Sequence, residues 1–308
     1  MFMMLKSFAR GAMQRITIEH PEIGCVFKSK DGQRQVMELY DRMLGQWPVE
    51  HEMLEIPTRH GNTFVIASGD PGADQLVLLH GAGSNSLMWI DDIQAYSKYY
   101  RVYAVDLIGE AGKSAANRPS WQGPAYEEWL TDIYDGLKMD KATIIGISQG
   151  GWTSLKFATA RPERVDRLVL ICPGGIIYDN MPFILYAFTL KTMGVWGTRR
   201  LVKMLFGDQP VEKSVLEAMT LTIKNFKHRL EIPPLYANEE LAALSMPTLY
   251  IGGTKDALRN SAKIADRLRR LVPNLTVDLV HGGGHAMNNT PCTILPFLLT
   301  GKHRDLRN

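Results

Sequence analysis

The stretch "ATIIGISQGGWTSLKFATA", residues 142–160, decides the fold of this chain. Its first part is an apolar run without polar alternation, as expected of a strand buried on both faces of a parallel sheet. Its second part has the apolar spacing of a helix, and Ser148 stands between glycines where one pattern gives way to the other. The stretch therefore predicts a strand, a sharp turn at the serine and a helix.

Five more segments share the apolar character of this first strand. They are "QLVLLHG" (75–81), "RVYAVDL" (101–107), "RLVLICP" (167–173), "TLYIGG" (248–253) and "LTVDLVH" (275–281). Helical patterns lie between them, as in "AYEEWLTDIYDGL" (125–137) and "SAKIADRLRRLV" (261–272). The alternation predicts an α/β fold with a doubly wound, mostly parallel sheet.

The chain before these segments has a different organisation. We predict an N-terminal extension over 1–50, with a helix at "RQVMELYDRMLGQW" (34–47) that Pro48 ends. Two short strands, in 53–59 and 63–69, then flank a turn at Gly61 and Asn62.

The alternation of strands and helices breaks between residues 176 and 241, where only helical stretches occur. We predict that 176–241 form a helical cap over the carboxyl ends of the strands, where open α/β sheets bind ligands. The core is then formed by 51–175 and 242–308. The alternative is a set of packing helices without contact to substrate.

The predicted cap contains a cluster of apolar residues. They are Phe183, Ile184, Leu185, Tyr186, Phe188, Met193 and Trp196. We expect such a cluster to pack the cap against the core, and the alternative is that some side chains line an acyl or aryl pocket. The basic and acidic residues of the cap nearly balance, which predicts a solvated face and no anion trap.

Ser148 is a candidate nucleophile because its surroundings match a strained strand-to-helix turn. Gly146 and Gly150 lack the β-carbons that would clash where the strand and helix cross closely. A strained conformation at Ser148 lifts its hydroxyl out of the turn. The alternative is a turn without chemistry.

A serine nucleophile needs a base, and the base needs an orienting acid. Asp256 follows the strand "TLYIGG", and His285 follows the strand "LTVDLV" after three glycines that carry a loop over the strand ends. The order serine, aspartate, histidine is that of an α/β-hydrolase. Three alternatives stay open: His281 as the base, Asp179 as the acid, and Asp256 as a plain helix N-cap.

The oxyanion of an acyl-transfer reaction needs preorganised donors. The segment "LVLLHGAG" ends a strand at 76–83, and the backbone N–H groups of Ala82 and Gln149 are candidates for this role. We expect His80 to be a structural loop residue.

Composition narrows the class of function. The chain has 308 residues, 45% of them hydrophobic, with 35 Lys and Arg against 32 Asp and Glu. The net charge of +3 gives no support for a nucleic-acid partner, so a small molecule is expected. No stretch reaches the ~18 apolar residues of a membrane span.

Cys25, Cys172 and Cys292 have neither metal-site spacing nor an even number, so reduced, packed thiols and no metal are expected. Basic residues interrupt the apolar start of the chain, which favours a short amphipathic helix over a signal peptide. We therefore expect a cytoplasmic location.

These motifs together resemble the α/β-hydrolase family over most of the chain. The matching segments are "LLHGAG", "YAVDLIG", "GISQGG", "RPERVDRLVL", "GGTKD" and "GGGHAM". More narrowly, "WPV", "FVIASG" and "YRVYAVDLIGEAGKS" look like bacterial carboxylesterases of the naproxen-esterase type. The resemblance implies ester hydrolysis by Ser148, Asp256 and His285 without a cofactor, with Ala82 and Gln149 as oxyanion donors.

Two departures from the family pattern stand out. Ala111 replaces a glycine in the turn after Asp106, and Asn288 and Asn289 stand where an acidic residue usually follows the catalytic histidine. The first lies in scaffold, and the sequence gives no physical account of the second.

We therefore expect a serine carboxylesterase for small to medium apolar carboxylic esters. C–C bond hydrolysis, acyl transfer and perhydrolysis use the same triad and stay open as alternatives. A ligand-binding module that keeps the pocket without turnover is the non-enzymatic alternative.

Overall fold

The computed structural model describes residues 26–300, and its eight strands form one sheet in the order β1-β2-β4-β3-β5-β6-β7-β8. The strands are β1 (His51–Ile56), β2 (Thr63–Ser68), β3 (Gln75–Leu79), β4 (Arg101–Val105), β5 (Ala142–Ile147), β6 (Val165–Ile171), β7 (Thr248–Gly253) and β8 (Leu275–Val280). β2 pairs antiparallel with both β1 and β4, and all other neighbouring strands are parallel. The predicted doubly wound, mostly parallel sheet is confirmed.

Ten α-helices accompany the sheet within residues 26–300. They are α1 (Lys30–Leu44), α2 (Ile93–Tyr96), α3 (Ala125–Gly136), α4 (Gln149–Ala160), α5 (Met181–Thr192), α6 (Gly194–Leu205), α7 (Lys213–Asn225), α8 (Asn238–Ala242), α9 (Ser261–Leu271) and α10 (Pro291–Leu299). None of the helices in this range is long and apolar enough to cross a membrane.

Both faces of the sheet are buried, as the apolar runs predict. In β3, Leu79 packs on one face with α3, α4 and α9, while Leu78 packs on the other with α1, α2 and α10. Alternate residues of a strand point to opposite faces, so a strand covered on both sides must be apolar throughout. This burial fixes the carboxyl ends of β3, β5, β6, β7 and β8 at one edge of the sheet.

The helix of the N-terminal extension begins earlier than predicted. Ser29 caps α1 by accepting a hydrogen bond from the Gly32 N–H, and the helix ends at Leu44, before Pro48. The N-cap interaction sets the start, because it satisfies a backbone donor that the helix leaves without a partner. The first 25 residues, with the amphipathic helix predicted at the start and Cys25, lie outside the described range.

The interval predicted to be a cap is helical. α5, α6 and α7 lie inside 176–241, and α8 runs across its end. Gly207 pairs with Gly283, and the Ala286 N–H donates to the Leu205 carbonyl, so the end of α6 supports the loop after β8. The division of the chain at residues 50, 175 and 241 stays a prediction.

Candidate active site

Ser148 occupies a strained turn between β5 and α4, with φ 54° and ψ −108°. A non-glycine residue in such a conformation carries about 1–3 kcal/mol of strain. The glycines on either side are sterically required: a β-carbon on Gly146 would lie 2.3 Å from Ser154 Oγ, and one on Gly150 would lie 2.2 Å from the Leu79 carbonyl oxygen. The surrounding structure thus holds the hydroxyl at the edge of the sheet.

The structure brings Ser148, His285 and Asp256 into one hydrogen-bonded chain. His285 Nε2 lies 2.9 Å from Ser148 Oγ, and His285 Nδ1 lies 2.9 Å from Asp256 Oδ2. Because an ionised carboxylate only accepts, Nδ1 carries the proton and Nε2 is free to accept the serine proton. The three side chains come from the ends of β5, β7 and β8.

Asp256 is ionised in this chain. Burial opposes its charge, but His285 and the N–H groups of Leu258 and Arg259 bind the carboxylate and hold the pKa of Asp256 below its usual value. The N-cap of α9 is Asn260, whose side chain accepts from the Lys263 N–H. Asp256 therefore does not cap this helix, contrary to one alternative.

The other two alternatives are placed differently. His281 is exposed at the end of β8. Asp179 lies near the nucleophile but binds Arg259, with Arg259 Nε donating to Asp179 Oδ1 at 2.6 Å. Neither residue therefore takes the position that the alternatives required.

Arg259 is a site residue that the sequence analysis missed. Its guanidinium is buried and donates from Nη1 to Ser148 Oγ at 3.3 Å and to the Cys172 carbonyl at 3.0 Å. Arg259 follows Asp256 by three residues, and only the turn between them sends both side chains toward Ser148. No motif in the sequence marks it.

The loop after β3 lies against the nucleophile. A β-carbon on Gly81 would be 3.5 Å from Ser148 Cβ, which places the neighbouring Ala82 close to the turn. Gln149 is the first residue of α4, where backbone N–H groups have no intrahelical acceptor. His80 is buried and accepts from the Leu107 N–H at 2.8 Å, as expected of a structural residue.

Glu110 is a second buried carboxyl group beside this loop. It accepts from the Gly83 N–H at 2.6 Å, and burial raises its pKa to about 7 against the attraction of that N–H and of Arg118. Glu110 thus lies against the loop that carries Ala82.

The structure explains the amide at position 288. The Asn288 side chain donates to the Pro210 carbonyl at 2.8 Å, and its N–H donates to Gln209 Oε1 at 3.1 Å. A carboxylate at 288 has no proton to donate to Pro210. The amide therefore fastens the histidine loop to the segment after α6.

One trio of potential metal ligands was found among the described residues, and it lies inside this site. Cys172, Asp256 and His285 have ligand atoms within 4.8 Å of one another. Asp256 and His285 are already hydrogen-bonded to each other, and burial raises the pKa of the Cys172 thiol well above its usual value. Cys172 and Cys292 are free thiols, and Cys172 is buried as expected. Cys292 is exposed, so the expectation that it packs in the interior is wrong.

Known proteins share this architecture. A model of the alpha/beta hydrolase family matches residues 76–294. The chain belongs to the alpha/beta hydrolase family. Carboxylesterase YbfK of Bacillus subtilis is 30% identical over 259 residues, which cover 82% of this chain and 87% of the relative. The uncharacterized carboxylesterase nap of the same organism is 30% identical over 267 residues, covering 82% and 86%.

Solved structures agree with these matches. The crystal structure of carboxylesterase CesB (YbfK) from Bacillus subtilis has a TM-score of 0.78 at 29% identity, covering 88% of this chain and 99% of the neighbour. That of naproxen esterase (carboxylesterase NP) from Bacillus subtilis has a TM-score of 0.80 at 27% identity, covering 91% and 99%. The resemblance noted in the sequence, to the family and to its naproxen-esterase type, is confirmed.

Proposed function

We propose that this alpha/beta hydrolase is a serine carboxylesterase that works through Ser148, His285 and Asp256. The hydrogen-bonded chain from Ser148 Oγ through His285 to Asp256 carries the proposal. The similarity to carboxylesterases over four fifths of the chain supports it.

Acylation begins when Ser148 Oγ attacks the ester carbonyl carbon. The hydroxyl proton passes to His285 Nε2, and Asp256 stabilises the imidazolium that forms. The backbone N–H groups of Ala82 and Gln149 receive the negative carbonyl oxygen. His285 then protonates the departing alcohol oxygen as its bond to carbon breaks, which leaves the acyl group on Ser148.

Deacylation repeats the sequence with water as the nucleophile. Water gives its proton to His285 while its oxygen bonds to the acyl carbon, and Ser148 Oγ leaves with that proton. Negative charge develops on Oγ in this step as it does in acylation. The Arg259 guanidinium donates to Oγ and stabilises that charge, so we assign it a catalytic role.

The substrate class is a small to medium apolar carboxylic ester. The name of one structural neighbour, naproxen esterase, points to an aryl-bearing ester. The proposal includes a cytoplasmic location.

A fluorophosphonate probe followed by mass spectrometry tests the nucleophile. We expect an adduct on Ser148, and hydrolysis of p-nitrophenyl esters that falls by about six orders of magnitude in Ser148→Ala and similarly in His285→Gln. The matched control His281→Gln changes an exposed histidine of the same loop and retains activity.

Other outcomes discriminate among the alternatives. A folded protein with neither adduct nor turnover would overturn the proposal and favour a ligand-binding module. Faster product formation with an added alcohol than with water would identify an acyltransferase, and turnover of a diketone but no ester would identify a C–C bond hydrolase.

A further inference from the structure

The pair of helices at the front of the cap exposes an unusual amount of apolar surface. We call residues 180–207, which contain α5 and α6, the cap hairpin. Seven of the thirteen exposed large apolar side chains in residues 26–300 belong to it. They are Met181, Leu185, Tyr186, Phe188, Met193, Val195 and Trp196. The expectation that this cluster packs the cap against the core is therefore wrong for most of its members.

The exposed side chains of α5 form one face of the helix. Leu185, with 64% of its surface exposed, lies one helical turn from Met181 and Phe188 on the outer side. The inner side is already filled, because Phe183 and Leu190 pack against Leu201. The outer apolar face thus has no partner within residues 26–300, where a solvated helix would carry polar residues.

Positive charge accompanies this apolar face. No Asp or Glu occurs in residues 180–207, which contain Lys191, Arg199, Arg200 and Lys203. The last three are exposed and follow Trp196 along the same side of α6. The near balance of charge over the whole cap conceals this separation, since its acidic residues lie outside the hairpin.

We propose that the cap hairpin docks on an anionic lipid surface. Exposed aliphatic and aromatic side chains flanked by cations are what a helix needs to lie in the interface of a bilayer that contains anionic lipids. The proposal concerns binding at a surface, and it does not depend on the chemistry of Ser148.

Charge argues against the two other occupants of this face. In a two-fold pairing of identical copies, Arg199 and Arg200 meet a surface of the same sign. The chain's own first 18 residues contain Lys6, Arg10 and Arg15 and no acidic residue, so they are repelled as well. Anionic headgroups are complementary to both segments.

Docking would turn the site toward the bilayer. α5 begins two residues after Asp179, which binds Arg259 beside the nucleophile. The Asn180 N–H and side chain donate to the carbonyls of Leu258 and Ala257, in the loop that follows Asp256. An apolar ester dissolved in the membrane would then reach Ser148 with a short passage through water.

Cosedimentation with sucrose-loaded vesicles tests the proposal with full-length Ser148→Ala protein, which leaves the lipids intact. We expect binding to vesicles of equimolar phosphatidylcholine and phosphatidylglycerol, weak binding to phosphatidylcholine alone, and release by high salt. Arg199→Gln/Arg200→Gln should reduce partitioning roughly 25-fold, about fivefold for each cation. Arg269→Gln/Arg270→Gln, a matched pair on the exposed face of α9, should leave it unchanged.

The apolar contribution is tested with Leu185→Ser/Trp196→Ser, which should also weaken vesicle binding strongly. Met53→Ser/Tyr99→Ser, a change at two exposed apolar residues outside the cap, is its control and should leave binding unchanged. If Arg269→Gln/Arg270→Gln weakens vesicle binding as much as Arg199→Gln/Arg200→Gln does, the proposal is overturned in favour of general charge attraction. Loss only in Lys6→Gln/Arg10→Gln/Arg15→Gln would overturn it in favour of the N-terminal segment. No vesicle binding, with a dimer by light scattering that Leu185→Ser/Trp196→Ser dissociates, would identify a second copy as the occupant.

Discussion

Two loops that follow neighbouring strands each bring a largely buried carboxylate near Ser148, and each carboxylate binds a nitrogen partner from another loop. After β7, Asp256 binds His285, and after β6, Asp179 binds Arg259. Both partners reach Ser148 Oγ, at 2.9 Å for the imidazole and 3.3 Å for the guanidinium. The two arrangements look alike, but an imidazole exchanges a proton near neutral pH and a guanidinium keeps its protons. We therefore propose that the first supplies a base and the second a fixed donor.

The histidine arrangement should be the more sensitive of the two. Asp256→Asn removes the charge that orients and stabilises the imidazolium, and we expect kcat to fall about 10⁴-fold. Steady-state hydrolysis of p-nitrophenyl butyrate measures the effect, with circular dichroism to verify folding. If Asp179→Asn lowers kcat as much as Asp256→Asn does, the distinction between the two arrangements is wrong, because Asp179 would then be the acid that supports the base.

The arginine arrangement should act mainly on the departure of Ser148 Oγ. Loss of one oxyanion-hole donor typically lowers kcat by 10²–10³-fold. Because the contact from Arg259 to Oγ is longer, we expect Arg259→Gln to lower kcat by about 10–100-fold. If deacylation slows more than acylation, stopped-flow traces will show a burst of p-nitrophenol. Arg259→Lys should recover part of the rate. A purely structural arginine would lower the free energy of unfolding and leave kcat and the burst unchanged.

Asp179→Asn should have a smaller effect on activity than either change above. It leaves the guanidinium in place and removes only its counter-charge, so we expect a loss of a few-fold in kcat and about 3 kcal/mol in the free energy of unfolding. Urea unfolding and steady-state kinetics of the same preparation check both. A larger loss of rate than in Arg259→Gln would contradict the donor role of Arg259.

Glu110 sharpens the comparison, because its direct hydrogen-bond partner is the Gly83 N–H and not a cationic side chain. Its pKa is raised from 4.5 to about 7, so the folded state binds more protons than the unfolded state between these values. The contribution of Glu110 to stability should therefore fall by roughly 3 kcal/mol as pH rises through this window and stay level above it. The raised pKa of Asp92 adds to this fall and the lowered pKa of His228 opposes it, so the contribution of Glu110 is the difference between the wild-type and Glu110→Gln curves.

In urea unfolding at a series of pH values, the Glu110→Gln curve should differ from the wild-type curve by that contribution. The curve of Glu38→Gln, a change at an exposed residue of α1, should follow the wild type. We expect little change in kcat in Glu110→Gln, since the amide oxygen still accepts from Gly83. An unchanged slope in Glu110→Gln would refute the assignment.

Much of the fold and of the proposed triad follows from local sequence. The apolar run 142–147 and the glycines beside Ser148 require a buried strand and a close turn, whatever lies elsewhere in the chain. Asp256 and His285 each follow a recognisable strand, and parallel strands bring their carboxyl ends to one edge. The apolar pattern does not predict the start of α1, because Ser29, its N-cap, lies before that pattern begins.

The sequence by itself determined the order of strands and helices, the strained serine and the set of residues at the strand ends. Only the tertiary structure distinguishes the contacts of Asp256 from those of Asp179, since both follow strands and Asp256 meets His285 whereas Asp179 meets Arg259. It also showed that the apolar residues of the cap face outward. Apolar spacing identifies a helix face but not what covers it, because burial depends on contacts between segments that are far apart in the chain.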